Sequence, residues 1–363
     1  MPAAIKRALH PGYSKARRRV IMYAAAMLSK PINVMVALFA AGLLAAICAL
    51  AQAAPPYFQE MAKHYDYDRA ATLDLKELGR QKHNSVTTLD LTYASPKGGR
   101  VPAYLVIPND KPPFAAILWG HWMMPGSAFM NRREFLQEAQ ALARSGVVSL
   151  LIDGPQARIG FVPEKDLERS GVQDALAKQQ QVIDLRRGVD LLLARSDIDP
   201  TRLAYVGHSF DAAVGGILAA VEPRIQNFVL MAGSYADEEW IFNEFDPAMV
   251  KLRQQIGEEK VRGFFRDYGW SDPVHYLPHT TGTHLFLQFA TKDPIPEKLA
   301  RHYFDLFSAS DKQMRFYQAE HALNPAARAD RDRWLHRRLR LPRIDDAALT
   351  AVPPLDQPSW PKQ

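Results

Sequence analysis

Three side chains able to share acid–base work stand in the order Ser209, Asp293, His321, each just past a short apolar run. The first lies in LAYVGHSFDAAVGG, residues 203 to 216, an apolar run that stops at Gly207, presents a hydroxyl and continues into small helix-forming residues. That is the pattern of a strand feeding a helix through a tight turn with Ser209 at its apex. A serine hydroxyl is a poor nucleophile until a base takes its proton, and the base must be held in one tautomer by an acid. Asp293 follows the apolar run within FATKDPIPEK, and His321 follows the last one within FYQAEHALNP. Gly207, His208, Ser209 and Phe210 fit the first four positions of the strand-to-helix pattern G-x-S-x-G, but Asp211 occupies the fifth, where glycine belongs.

Each residue also has a plainer use. Ser209 is a good helix N-cap, Asp293 a turn former before Pro294, and His321 a packing residue. Were Asp293 only a turn residue, Asp237, Glu238 or Glu239 would be the next acids in reach of the same histidine. Asp211 suits the first turn of a helix, where negative charge is favoured; the sharper alternative is that it faces the site and raises the pKa of His321 or orients a substrate cation or hydroxyl.

The elements that must position these groups follow from periodicity. Strands are expected at 86–93, 101–108, 115–121, 147–153, 203–208, 227–233, 284–290 and 314–319, and the six from 101 to 290 have the apolar character of a parallel sheet buried on both faces. Helices are expected at 131–146, 174–196, after Ser209, at 295–308 and at 325–340. A hairpin entry followed by repeated β-α units predicts an α/β fold, a mostly parallel sheet of about eight strands in three layers, with active residues at the carboxyl ends of strands. Residues 54–85 read as an N-terminal extension, 86–345 as the folded domain and 346–363 as an extended tail. The stretch 234–280, with Trp240, Phe242, Phe245, Phe264, Phe265, Trp270 and Tyr276, is too long for a simple connection. It reads either as helices packed on the sheet or as a small lid over the strand ends.

The chain has 363 residues and a formal net charge of +6, but seven of its 45 bases precede residue 31. The remaining bases nearly balance the 39 acids, so no nucleic-acid partner is expected. The uncharged run from Val34 to Ala53 follows those bases and ends Ala51-Gln52-Ala53, the order of a secretory leader. An exported protein is therefore expected, with an uncleaved membrane anchor as the competing reading and membrane contact confined to 34–53. The single cysteine, Cys48, lies inside that run, which excludes thiol chemistry in a processed chain. His275, His279 and His284 lie in a segment broken by Pro278 and Gly282, so they do not share a helix face as zinc ligands prefer, and no metal is expected.

With Ser209, Asp293, His321 and the loop LWGHWMMPGS in order, the chain resembles an α/β-hydrolase across residues 86 to 340, in the style of the dienelactone hydrolase and secreted acyl-esterase branch. The resemblance implies a three-layer α/β-hydrolase fold and cleavage of a small carboxylic ester through an acyl-enzyme, without a cofactor. Ser209 is implied as nucleophile, His321 as base and then acid, and Asp293 as its orienter. The backbone N–H groups of Phe210 and His121 are implied as oxyanion donors, and a side-chain role for His121 as a second base is the minor alternative. Trp122, Met123, His208, Asp211 and Trp240 are expected around the substrate. The rival readings are an amide or peptide hydrolase of the dipeptidyl-peptidase-like branch and a membrane-anchored binding protein without turnover. Oligomeric state is not legible.

Overall fold

Strands whose every side chain is apolar or small can form only where helices cover both sheet faces, and FAAILWG and VVSLLI are buried at every position. The computed structural model describes residues 56–83, 85–124, 126–233, 237–243, 246–293 and 295–355. The expected leader or anchor at 1–53, Phe245 and the last eight residues of the tail lie outside the described residues. Among the described residues, no helix is long and apolar enough to cross a membrane.

Nine strands form one sheet: β1 (Lys76–His83), β2 (Val86–Ala94), β3 (Arg100–Pro108), β4 (Phe114–Gly120), β5 (Val147–Ile152), β6 (Ile198–His208), β7 (Asn227–Met231), β8 (His284–Ala290) and β9 (Asp311–Tyr317). Their spatial order is β1-β2-β3-β5-β4-β6-β7-β8-β9. Strands β1 to β3 are antiparallel, β3 meets β5 antiparallel, and from β5 to β9 every pairing is parallel. Two expectations are corrected here. Arg100–Pro108 is antiparallel because a short turn, not a crossover helix, joins it to β2, whereas the last strand belongs to the parallel set. Residues 76–83 of the supposed extension are a ninth strand, nearly all exposed, so KELGRQKH carries no apolar alternation to betray it.

Side chains alternate between two cores. Ala116 and Leu118 of β4 point toward α3 (Leu167–Leu193) and α4 (Phe210–Val221), while Ile117 and Trp119 point toward α2 (Leu136–Ala143) and α9 (Pro325–Arg338). Helix α3 starts seven residues before its expected bound because Asp166 caps it, accepting the Arg169 N–H at 3.0 Å. The entry segment contributes α1 (Pro56–Ala62), and the expected extended tail holds the short helix α10 (Asp346–Thr350), which buries Leu349.

The long segment between β7 and β8 divides in two. Its first part is the short helices α5 (Asp237–Ile241), α6 (Pro247–Ile256) and α7 (Glu258–Tyr268); α6, α7 and the start of α3 line a groove of about 530 Å³ that includes Phe264 and Tyr268. Its second part, 269–279, is core: the hydroxyls of Tyr65 and Tyr276 both donate to the Trp270 carbonyl, at 2.9 and 2.7 Å. Helix α8 (Glu297–Leu306) follows β8 and buries Tyr303.

Candidate active site

The turn from β6 into α4 is set by close backbone packing. Ser209 has φ 55° and ψ −113°, a conformation costly for a residue with a Cβ. Its N–H donates to the Met231 carbonyl at 2.7 Å, and its own carbonyl accepts from Ala212 and Ala213 at 3.0 and 3.1 Å. Gly233, just past β7, makes the turn possible: a Cβ there would stand 2.1 Å from the Ser209 carbonyl oxygen. The Phe210 N–H, first in the helix, has no acceptor among the described residues.

Asp293 and His321 come together at the ends of β8 and β9. Nδ1 of His321 lies 2.7 Å from Oδ2 of Asp293, and both side chains are almost wholly buried. With a carboxylate accepting at Nδ1, the imidazole keeps its proton there and its Nε2 is the basic nitrogen. Two of the three alternative acids are engaged elsewhere: Asp237 pairs with the buried Lys178 of α3, and Glu239 lies 3.4 Å from His302. The His321 ring lies 5.3 Å from that of His208, the residue before Ser209, and the two planes meet at 27°. The histidines at 275, 279 and 284 serve separate ends, the first two against Tyr57 and Phe58 and the third 3.1 Å from Asp311.

The loop after β4 is held from within. The His121 side chain is buried with both nitrogens in use: Nε2 accepts the Gly154 N–H and Nδ1 donates to the Trp122 carbonyl, each at 2.8 Å. Burial lowers its pKa. A second base at His121 is thereby corrected, since no lone pair is left for substrate. The Trp122 N–H is committed to Glu134 at 2.6 Å.

Asp211, the departure from pattern, is almost completely buried. Its room comes from Gly120 and its partner from α3. A Cβ on Gly120 would lie 2.6 Å from Asp211 Cβ, and Gln181 Nε2 lies 2.9 Å from both carboxyl oxygens. Burial pushes its pKa up to about 8; the bonds from Gln181 and from the His121 backbone N–H oppose that rise. Neither sequence reading therefore holds as stated, because the carboxyl is a largely neutral interior group at pH 7 and not a surface charge or a pocket wall. Since the folded-state pKa lies above the unfolded one, the folded state binds the proton more tightly, and stability falls as pH rises from about 4 to about 8. Asp211→Asn is expected to be more stable than the parent at pH 9 by on the order of 3–5 kcal/mol, the gap closing toward pH 4. Urea unfolding at both pH values checks this, and a gap that stays constant with pH would contradict it.

Of the residues expected around the substrate, His208 and Trp122 are fully buried, whereas Met123 and Trp240 are partly exposed. Pattern reading missed Glu134 and Gln181. Gln181 lies on α3 and Glu134 in the turn just before α2. Glu134 and Glu138, four residues apart within the helix expected at 131–146, mark acids at core-facing positions, a signal the expected periodicity did contain.

No family model matches the chain, and no curated protein does. Solved structures do. The chain is similar to the acetyl xylan esterase from Paenibacillus sp. R4, with a TM-score of 0.63 and 15% identity over 78% of this chain and 93% of that one. Similarity to acetyl xylan esterase 1 from Thermoanaerobacterium sp. JW/SL YS485 has a TM-score of 0.64 and 16% identity, over 80% of this chain and 95% of the other. A putative dienelactone hydrolase from Klebsiella pneumoniae subsp. pneumoniae MGH 78578 aligns with a TM-score of 0.50 and 16% identity, over 71% and 99% of the two chains.

Proposed function

We propose that this chain, which has the α/β-hydrolase fold, is a serine hydrolase that cleaves a carboxylic ester. The observation that carries the reading is the buried Asp293–His321 pair, at 2.7 Å, in the same sheet whose central strand ends in the strained Ser209 turn. In the proposed cycle His321 Nε2 takes the Ser209 proton as Oγ attacks the acyl carbon, then returns it to the leaving alcohol, and water repeats the sequence to release the acid. The Phe210 N–H is the first oxyanion donor. The His121 amide is the second, held only weakly by a neutral Asp211, since hydrogen bonds to a neutral acceptor are weaker than those to a charged one. Losing one such donor costs roughly 3 kcal/mol in the barrier. The chemistry calls for no cofactor, and the substrate is a small ester; the solved esterases with the same architecture support that class over an amide. Export by the 34–53 segment belongs to the same proposal.

The test is hydrolysis of p-nitrophenyl acetate and p-nitrophenyl octanoate by the chain starting at Ala54, with mass-spectrometric location of a fluorophosphonate adduct. Turnover with the adduct on Ser209 is the expected result. Neither turnover nor adduct would sink the reading and favour a binding protein.

A further inference from the structure

The proposed chemistry leaves several buried acids without a task, Glu134 among them. Glu134, two residues before α2, is fully buried, and its two oxygens make separate bonds. Oε2 accepts the Trp122 N–H at 2.6 Å, and Oε1 lies 2.5 Å from Nδ1 of His208. On the other side of that ring, Nε2 donates to the main-chain carbonyl of His321 at 3.0 Å, the donor being unambiguous because a carbonyl only accepts. One carboxyl thus spans the loop after β4 and the loop after β9 through an imidazole that lies directly before Ser209. The Trp122 ring covers the bridge, stacked 5.1 Å from His208 and 6.2 Å from His321. One turn further along, Glu138 accepts from Nε and Nη2 of Arg331, at 3.0 and 2.6 Å, on the helix into which the His321 loop runs.

A carboxyl removed from water is expensive unless its oxygens are bonded, and here each bond ends on the backbone of a site loop or on the ring that holds one. We propose that Glu134 is a positioning residue: through His208 it holds the His321 main chain, through Trp122 it holds the oxyanion loop, and so it sets the distance between base and oxyanion donors. This rests on the ester-hydrolase reading above. Glu134 touches no reacting atom.

The test compares Glu134→Ala, Glu134→Gln, His208→Phe and the Glu134→Ala/His208→Phe double variant on p-nitrophenyl acetate, with melting temperatures beside them. Glutamine preserves the bridge: its oxygen accepts from Trp122, and its NH₂ donates to Nδ1 of a neutral His208 that still donates to the His321 carbonyl. A misplacement near 1 Å costs about 10²-fold, so Glu134→Ala is expected to lower kcat by about that factor. Its KM should stay within about 3-fold, since the lost interaction acts on the transition state. Glu134→Gln should recover most of the loss, and the double variant should be no slower than the slower single one. The proposal is overturned by a glutamine variant as slow as the alanine one, by normal kcat with only a lower melting temperature, or by effects that multiply. Where the alanine chain does not fold, the fluorophosphonate labelling rate of His208→Phe decides, and labelling at the parent rate overturns it. Parent turnover, and its loss in Ser209→Ala, tests the ester-hydrolase reading separately, and an inert parent removes both.

Discussion

Ser209→Ala is expected to lower ester turnover by roughly 10⁵- to 10⁶-fold, His321→Ala by a similar factor, and the double variant by no more than either, because the proposed nucleophile and base would act as a unit. Asp293→Asn should cost less, roughly 10⁴-fold, for a reason visible in the 2.7 Å contact to His321 Nδ1. An asparagine that turns its NH₂ toward Nδ1 stabilises the tautomer protonated at Nε2, which cannot accept the Ser209 proton. The other acids are poor substitutes, since Asp237 is engaged by Lys178. The measurement is kcat on p-nitrophenyl acetate with unchanged circular dichroism as the folding control. An Asp293→Asn enzyme within tenfold of the parent would move the acid elsewhere and break the assignment.

Gly233→Ala is expected to be among the most damaging single added methyl groups at the described glycines. The added Cβ would stand 2.1 Å from the Ser209 carbonyl oxygen and 2.7 Å from Ala212 Cβ; the first is backbone and the second a methyl fixed to its own helix, so neither can swing aside. Overpacking of a rigid core costs roughly 1–3 kcal/mol or more, so a lower melting temperature is expected. Activity should fall further than stability, because the shift is imposed on the turn that aims Ser209, the proposed nucleophile, and a displacement near 1 Å there costs about 10²-fold. Thermal unfolding and kcat on the same preparation check both parts. A variant with parent activity would show that the turn relaxes without moving Ser209.

How much of this was legible in the sequence depends on how each residue is held. The strands from β4 to β8 were readable because each is a short apolar run that only a doubly covered sheet can bury. Ser209, Asp293 and His321 were readable because each stands just past such a run, where chain direction alone puts it at a carboxyl end. Strand β1 was not, since an exposed edge strand has no core face to pattern it. The expected tail hid a short helix for a similar reason: one turn and a single buried leucine leave almost no periodicity.

By itself, the sequence determined the layered α/β order, the chain order of serine, acid and histidine, and the oddity of a carboxyl at position 211. All of these follow from spacing along the chain. The tertiary structure alone decided which acid meets His321, why Asp211 is tolerated, and that Glu134 joins two loops. Those outcomes rest on contacts between residues far apart in the chain: Asp293 with His321, Asp211 with Gly120 and Gln181, Glu134 with His208. Which buried polar group finds its partner is settled by packing in three dimensions, because an unpaired one costs about 1–3 kcal/mol and local spacing carries no record of that choice.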